Sequence, residues 1–288
     1  MSLHMLLRGI VFITLAAAGA AVARSPEWER AKDLYQRTEY KQALAILTPL
    51  PNKDAETLQL IGQSYFMLAE YKKATEVFEK ATQAAPDNSQ LHHWLGRTYC
   101  RRAETSSFIT APGYASKCRS LFEKAIELDG GNYEAIDDLF DYYLEAPGIL
   151  GGGIQKAAEL AKRIAKRDPA QGHYAEALMA VKLKDYQAAE DHLRKAIELA
   201  PKQVGRRVDL AKYLASRGRI SESDAMFTEA AQIAPNSPAV LFSRAESYIQ
   251  QQRNLNDARQ LLERYLNTQL NPDNPPRSRA EQLLKKIS

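Results

Sequence analysis

Hydrophobic positions along this chain recur in steps of three and four, in short bursts separated by polar turns. The clearest burst runs from Ala55 to Asn88. Leu58, Ile61, Tyr65 and Leu68 share one side of AETLQLIGQSYFMLAE, and Ala74, Phe78 and Ala81 share one side of YKKATEVFEKATQAAP. Residues three and four apart lie on one helix face, so each segment is predicted to be an amphipathic helix, the second stopped by Pro86. Gly62 and Ala74 are both small and are expected to face each other. That would let the two helices pack closely, with Tyr65 and Phe78 filling the wedge.

One helix pair of this size cannot bury its own apolar faces, so it requires neighbours. Related copies fill the chain. Residues 24–54 are a worn version, with Trp28, Ala31 and Leu34 on a first helix and Tyr40, Ala43 and Leu47 on a second. Residues 89–132 carry Trp94, Leu95, Gly96 and Tyr99, then Cys118, Phe122 and Ala125. Gly62 and Gly96 stand 34 positions apart, as do Pro201 and Pro235. Residues 133–169 place Phe140 where the earlier copies have a small residue, which predicts a wider helix pair there. Further copies cover 170–203, 204–237 and 238–272, and Leu283 and Leu284 mark a short amphipathic helix over 276–287.

This arrangement resembles the tetratricopeptide repeat, most specifically in the second, third and sixth copies, whose period is 34 residues. The resemblance covers nearly all of residues 24–288. It implies an all-α fold, a right-handed α-solenoid of about seven helix-turn-helix units with a C-terminal capping helix. It also implies a concave face, lined by the first helix of each unit, that binds protein or peptide without a cofactor. No stretch is left over for a separate catalytic domain.

The first 23 residues differ from the rest. Arg8 is followed by an uncharged run from Gly9 to Ala20 and by the small-x-small sequence Ala21-Val22-Ala23. This is the pattern of a bacterial secretory signal, too short for a comfortable membrane span. Cleavage is expected near Ala23, giving a periplasmic or secreted chain that begins at Arg24. Charge narrows the partner class: a net +4 with 26% charged residues is too mild an excess to point to nucleic acid.

Two copies carry enlarged turns between their helices, ETSSFITAPGYAS in the third and APGILGGG in the fourth. The units are neighbours, so the insertions are expected side by side on one edge of the solenoid. They either bind a ligand or pack on each other. Gly151-Gly152-Gly153 with Lys156 evokes a phosphate cradle. No strand precedes it, however, and no Gly-Lys-Ser/Thr follows, so a helix connection is the better reading. His92 and His93 are adjacent and therefore diverge on a helix, unlike metal ligands at i and i+4. No metal site or catalytic constellation is predicted.

On the faces that the resemblance assigns to the groove, His93, Arg97 and Arg101 form one stripe, and Asp137, Asp141 and Glu145 form the next. Trp28, Lys32, Tyr35, Gln59, Gln63 and Phe66 lie to one side, and Tyr174 and Phe242 to the other. The charged stripes either serve a partner or pair with each other. The Lys and Asn arrangement by which some family members hold chaperone C-termini is missing. In the repeat geometry Cys100 and Cys118 fall near each other across a helix pair. A disulfide is therefore expected there, with two buried thiols as the alternative. The expected function is a protein- or peptide-binding scaffold of the bacterial envelope. The alternatives are a periplasmic holdase-like chaperone and, less favoured, an enzyme with its site at the Gly-rich turn.

Overall fold

The computed structural model describes residues 24–287, so the leader expected over residues 1–23 lies outside the described residues. Among the described residues there are fifteen α-helices, one short 3-10 turn and no strand. Seven helix pairs follow one another: α1 (Pro26–Gln36) with α2 (Tyr40–Leu47), α3 (Ala55–Met67) with α4 (Tyr71–Ala84), and α5 (Ser89–Thr105) with α6 (Ala111–Leu128). Next come α7 (Tyr133–Glu145) with α8 (Ile154–Arg167), and α9 (Pro169–Lys182) with α10 (Tyr186–Leu199). The series continues with α11 (Val204–Ser216) and α12 (Ile220–Ile233), then α13 (Pro238–Gln250) and α14 (Leu255–Leu266). A last helix, α15 (Arg277–Lys286), stands alone. The stack is an α-solenoid.

Local sequence sets the helix ends. Asp54, Asn88, Asn132 and Asp168 each accept a hydrogen bond from the backbone N–H three residues on, satisfying a donor that the first turn leaves free. In five of the seven pairs the second residue after the first helix has positive φ: Thr38, Ala69, Lys184, Gly218 and Gln252, with Asn254 a further one in the last turn. That left-handed residue ends the first helix and aims the chain into the second. In the two pairs with insertions the turn differs: the third has no positive-φ residue, and in the fourth it is Gly151, at the end of the short 3-10 turn.

Packing within a pair depends on a ring seated against a glycine. A Cβ at Gly62 would lie 2.8 Å from the Phe78 ring, and one at Gly96 would lie 2.7 Å from Phe122. Phe78 thus fills the wedge by seating its ring on Gly62 itself, and Ala74 is fully buried in the cluster shared with the next pair. In the fourth pair Phe140 packs with Ala157 and Ala161, so the small residues are on the opposite helix. Each such cluster also draws on the neighbouring pair, which is how units that are unstable alone build one core.

The third insertion is mostly helix. α5 and α6 run to 17 and 18 residues, leaving only 106–110 between them. At the far end, Ala280 of α15 is fully buried against the last pair. The chain around it does more than cap the stack. Pro276, Arg277 and Ser278 share a cavity of about 480 Å³ with Arg37–Gln42 of the first turn and with Met67 and Leu68. The two ends of the solenoid therefore face each other.

Candidate functional site

α5 and α7 are the first helices of adjacent units. Between them, closed at one end by the insertions, is a cavity of about 620 Å³. Phe66, Ala115, Phe122, Tyr142 and Leu150 give it an apolar lining, and Phe108, Pro112 and Pro147 come from the insertions. Arg97, Arg101, Glu104, Asp138, Asp141 and Glu145 are its charged groups. The apolar tips of the insertions are not packed on each other: Phe108 is 86% exposed, Ile109 75% and Ile149 93%.

Four of the six residues assigned to the stripes line this cavity, and two do not. His93 is 1% exposed, wedged beside Phe122, with Nε2 2.7 Å from Asp138 Oδ2. Asp137 is half-buried outside the cavity lining; burial raises its pKa and Arg167 opposes the rise. The reason is geometric. Steps of four overshoot a 3.6-residue turn by about 40° each, so a strict i, i+4, i+8 stripe rotates around the helix. His93 and Asp137 begin such stripes and end up off the face held by Arg101 and Glu145. The acidic face follows steps of three and four instead, Asp138–Asp141–Glu145. Asp138 was missing from the sequence-based set, and this mixed spacing was the signal that marks it.

The arginines are already engaged. The Arg97 guanidinium lies 4.4 Å from the Trp94 ring centre and 5.2 Å from that of Phe66, with Nε 3.5 Å from Asp138. Arg101 pairs with Glu104 on its own helix and donates through Nε to the Tyr71 hydroxyl at 3.3 Å. The two stripes therefore do not zip together: of the two arginines, Arg97 alone is ion-paired to α7 among the described residues, beside His93 on the same Asp138. Glu145 accepts from Lys182 at 2.9 Å. Asp141 has no hydrogen-bond or ion-pair partner among the described residues, although its side chain is open to solvent. Crowding by the surrounding protein pushes its carboxyl up to about 6, and its charged neighbours Asp138, Asp137 and Glu145 add to the shift.

Cys100 and Cys118 are bonded, with their Cα atoms 5.2 Å apart. Cys118 is fully buried and Cys100 lines the cavity, so the bridge ties α5 to α6 at the cavity wall. The Gly-rich turn is filled by protein. The Arg119 guanidinium lies where a Gly151 side chain would be, Ala146 O lies against Gly152, and Lys156 donates to Gly151 O at 2.9 Å. His92 is half-buried, 2.7 Å from Pro86 O. No group of three or more His, Cys, Asp or Glu among the described residues is placed to hold a metal. Trp28, Tyr35 and Phe242, expected on the groove, are core residues. Tyr174 is half-buried, as are Gln59, Gln63 and Phe66, and Lys32 is exposed.

These features define a helical-repeat solenoid with a pocket between two first helices. Models of the tetratricopeptide repeat match residues 55–88, 170–203 and 208–275, so the chain carries tetratricopeptide repeats. Among solved structures, a tetratricopeptide repeat protein from Parabacteroides merdae is similar at 13% identity and TM-score 0.56, covering 91% of this chain and 97% of that one. Human IFIT1, solved as a dimer with PPP-AAAA, has 19% identity and TM-score 0.53; the match covers 84% of this chain and 54% of that one. The APC/C hetero-tetramer Cut9–Hcn1 has 16% identity and TM-score 0.50, with 89% and 48% covered. At these identities the likeness is one of fold. No curated protein matches the chain. Tetratricopeptide-repeat proteins are in general scaffolds for protein interaction.

Proposed function

We propose that this protein is a non-catalytic scaffold of the bacterial envelope that binds a segment of a partner polypeptide in the cavity between α5 and α7. The observation that carries this reading is the meeting, in one 620 Å³ space, of two first helices, both insertions and the disulfide. That volume is in the range of sites that enclose a few side chains. A preformed wall of packed helices lowers the ordering cost of binding. Export rests on the pattern of the first 23 residues and agrees with a cysteine pair suited to an oxidising compartment. A holdase would call for a broad apolar groove, whereas six charged groups in the lining favour a defined segment.

Photocrosslinking in the native envelope tests this. A benzoylphenylalanine at Phe108 is expected to trap a discrete polypeptide, and one at exposed Leu199 is expected to trap none. Equal or absent labelling from the two positions overturns the reading. Retention of Met1 in the exported protein, read by intact mass, overturns the processing step.

A further inference from the structure

We propose that the segment received by this cavity is apolar and basic: one or more apolar side chains enter the cavity, and an adjacent lysine or arginine is taken by Asp141. The inference rests on the reading of the cavity as a polypeptide site and adds the chemistry of the occupant.

Two features of the site select that chemistry. The first is the apolar lining, with Phe66, Phe122 and Leu150 inside and Phe108, Ile109 and Ile149 exposed on the two insertions that flank it. A few hundred cubic ångströms of apolar space takes aliphatic or aromatic side chains. The second is charge. Two arginines and four carboxylates line the cavity, and both arginines are matched internally, Arg97 with Asp138 and Arg101 with Glu104. An acidic segment would have to break one of those pairs. Glu145 is matched by Lys182. That leaves Asp141 open to solvent in the cavity wall without a cation. A ligand cation beside it would gain the attraction and relieve the mutual repulsion of the α7 carboxylates.

The test uses the whole chain and three fluorescein-labelled octapeptides, Ser-Gly-Leu-Phe-Xaa-Ile-Gly-Ser with both ends blocked. Xaa is Lys, Gln or Glu, and binding is read by fluorescence anisotropy. The Lys peptide is expected to bind about tenfold or more tighter than the other two. Asp141→Asn should erase that preference and leave the affinity for the Gln peptide in place. Ala111→Trp, which fills the cavity from a half-buried position, should weaken all three. Equal affinities, or a preference for Glu, overturn the proposal; if Ala111→Trp still weakens binding, the cavity remains a polypeptide site. Binding that ignores Ala111→Trp overturns both. Failure of all three peptides, with co-sedimentation of the chain on phosphatidylglycerol vesicles that is lost in Phe108→Ser with Ile149→Ser, also overturns both, by making the insertions a membrane contact. Failure of the peptides without vesicle binding overturns the proposal alone if the Phe108 crosslink persists.

Discussion

His93 Nε2 and Asp138 Oδ2 lie 2.7 Å apart, joining α5 to α7 beneath the cavity, and the same oxygen is 3.5 Å from Arg97 Nε. One carboxylate thus positions a buried imidazole and the arginine that stacks on Trp94. Removing it leaves His93 without that partner in the core.

Asp138→Ala is therefore expected to cost about 1–3 kcal/mol in denaturant unfolding. Asp137→Ala, outside the cavity and without a hydrogen-bond partner among the described residues, should cost less. Equal effects from the two would show that the His93 contact contributes nothing.

Asp141 should behave in the opposite way. Its carboxyl is pushed up to about 6 in the fold from an ordinary 3.8, so the folded protein binds the proton more tightly than the unfolded chain. The associated stability is complete below about pH 3.8 and is lost as pH rises through about 6. Asp141→Asn should accordingly raise the melting temperature at pH 7.5 and leave it unchanged near pH 3.5. A lower melting temperature at pH 7.5 would mean that the carboxylate is matched by a charge after all.

A second titration has the reverse sign. His173 and His192 bring their Nδ1 atoms within 2.9 Å between α9 and α10, and burial, followed by the neighbouring imidazole, lowers the pKa of His173 below 6.5. The unfolded chain then takes up a proton before the folded one. Stability from His173 is complete above about pH 6.5 and falls as pH drops toward its folded value. His173→Asn should flatten the acid side of the stability curve, read as chemical denaturation between pH 7 and pH 5, and His192→Asn should do so only in part. A curve that falls unchanged would assign the acid loss to other groups.

The Cys100–Cys118 bridge closes an 18-residue span. Chain-entropy arguments give such a link about 3 kcal/mol. Reduction, or Cys100→Ala with Cys118→Ala, should lower stability by about that amount and weaken ligand binding, since Cys100 belongs to the cavity wall. Thiol titration of unfolded, unreduced protein should find no free cysteine. Two titratable thiols there would refute the bridge.

The solenoid was legible because its unit is local: glycine, ring and alanine recur within each copy, and helix periodicity needs no long-range information. Site placement was harder. Arg97, Arg101, Asp141 and Glu145 were found from face periodicity, but His93 and Asp137 were carried along by a strict step of four that drifts around the helix. Asp138 was lost for the same reason. Trp28 and Phe242 looked like groove residues because their burial depends on the neighbouring pair, which spacing inside one copy does not encode. Nothing in a single unit reports superhelical closure, so the approach of Pro276 to the first turn had no sequence signature.

That approach places the two ends of the solenoid where a movement at its middle would show. The cavity lies in the third and fourth of seven helix pairs, and the turn of the first pair and the start of α15 face each other at Lys41 and Ser278. A small change in the angle between α5 and α7 would be carried outward by two pairs on one arm and by three pairs and α15 on the other. Each arm acts as a lever, so the jaw opening changes by more than the hinge itself. Spin labels on Lys41 and Ser278 would show whether filling a cavity that neither residue touches moves the two ends.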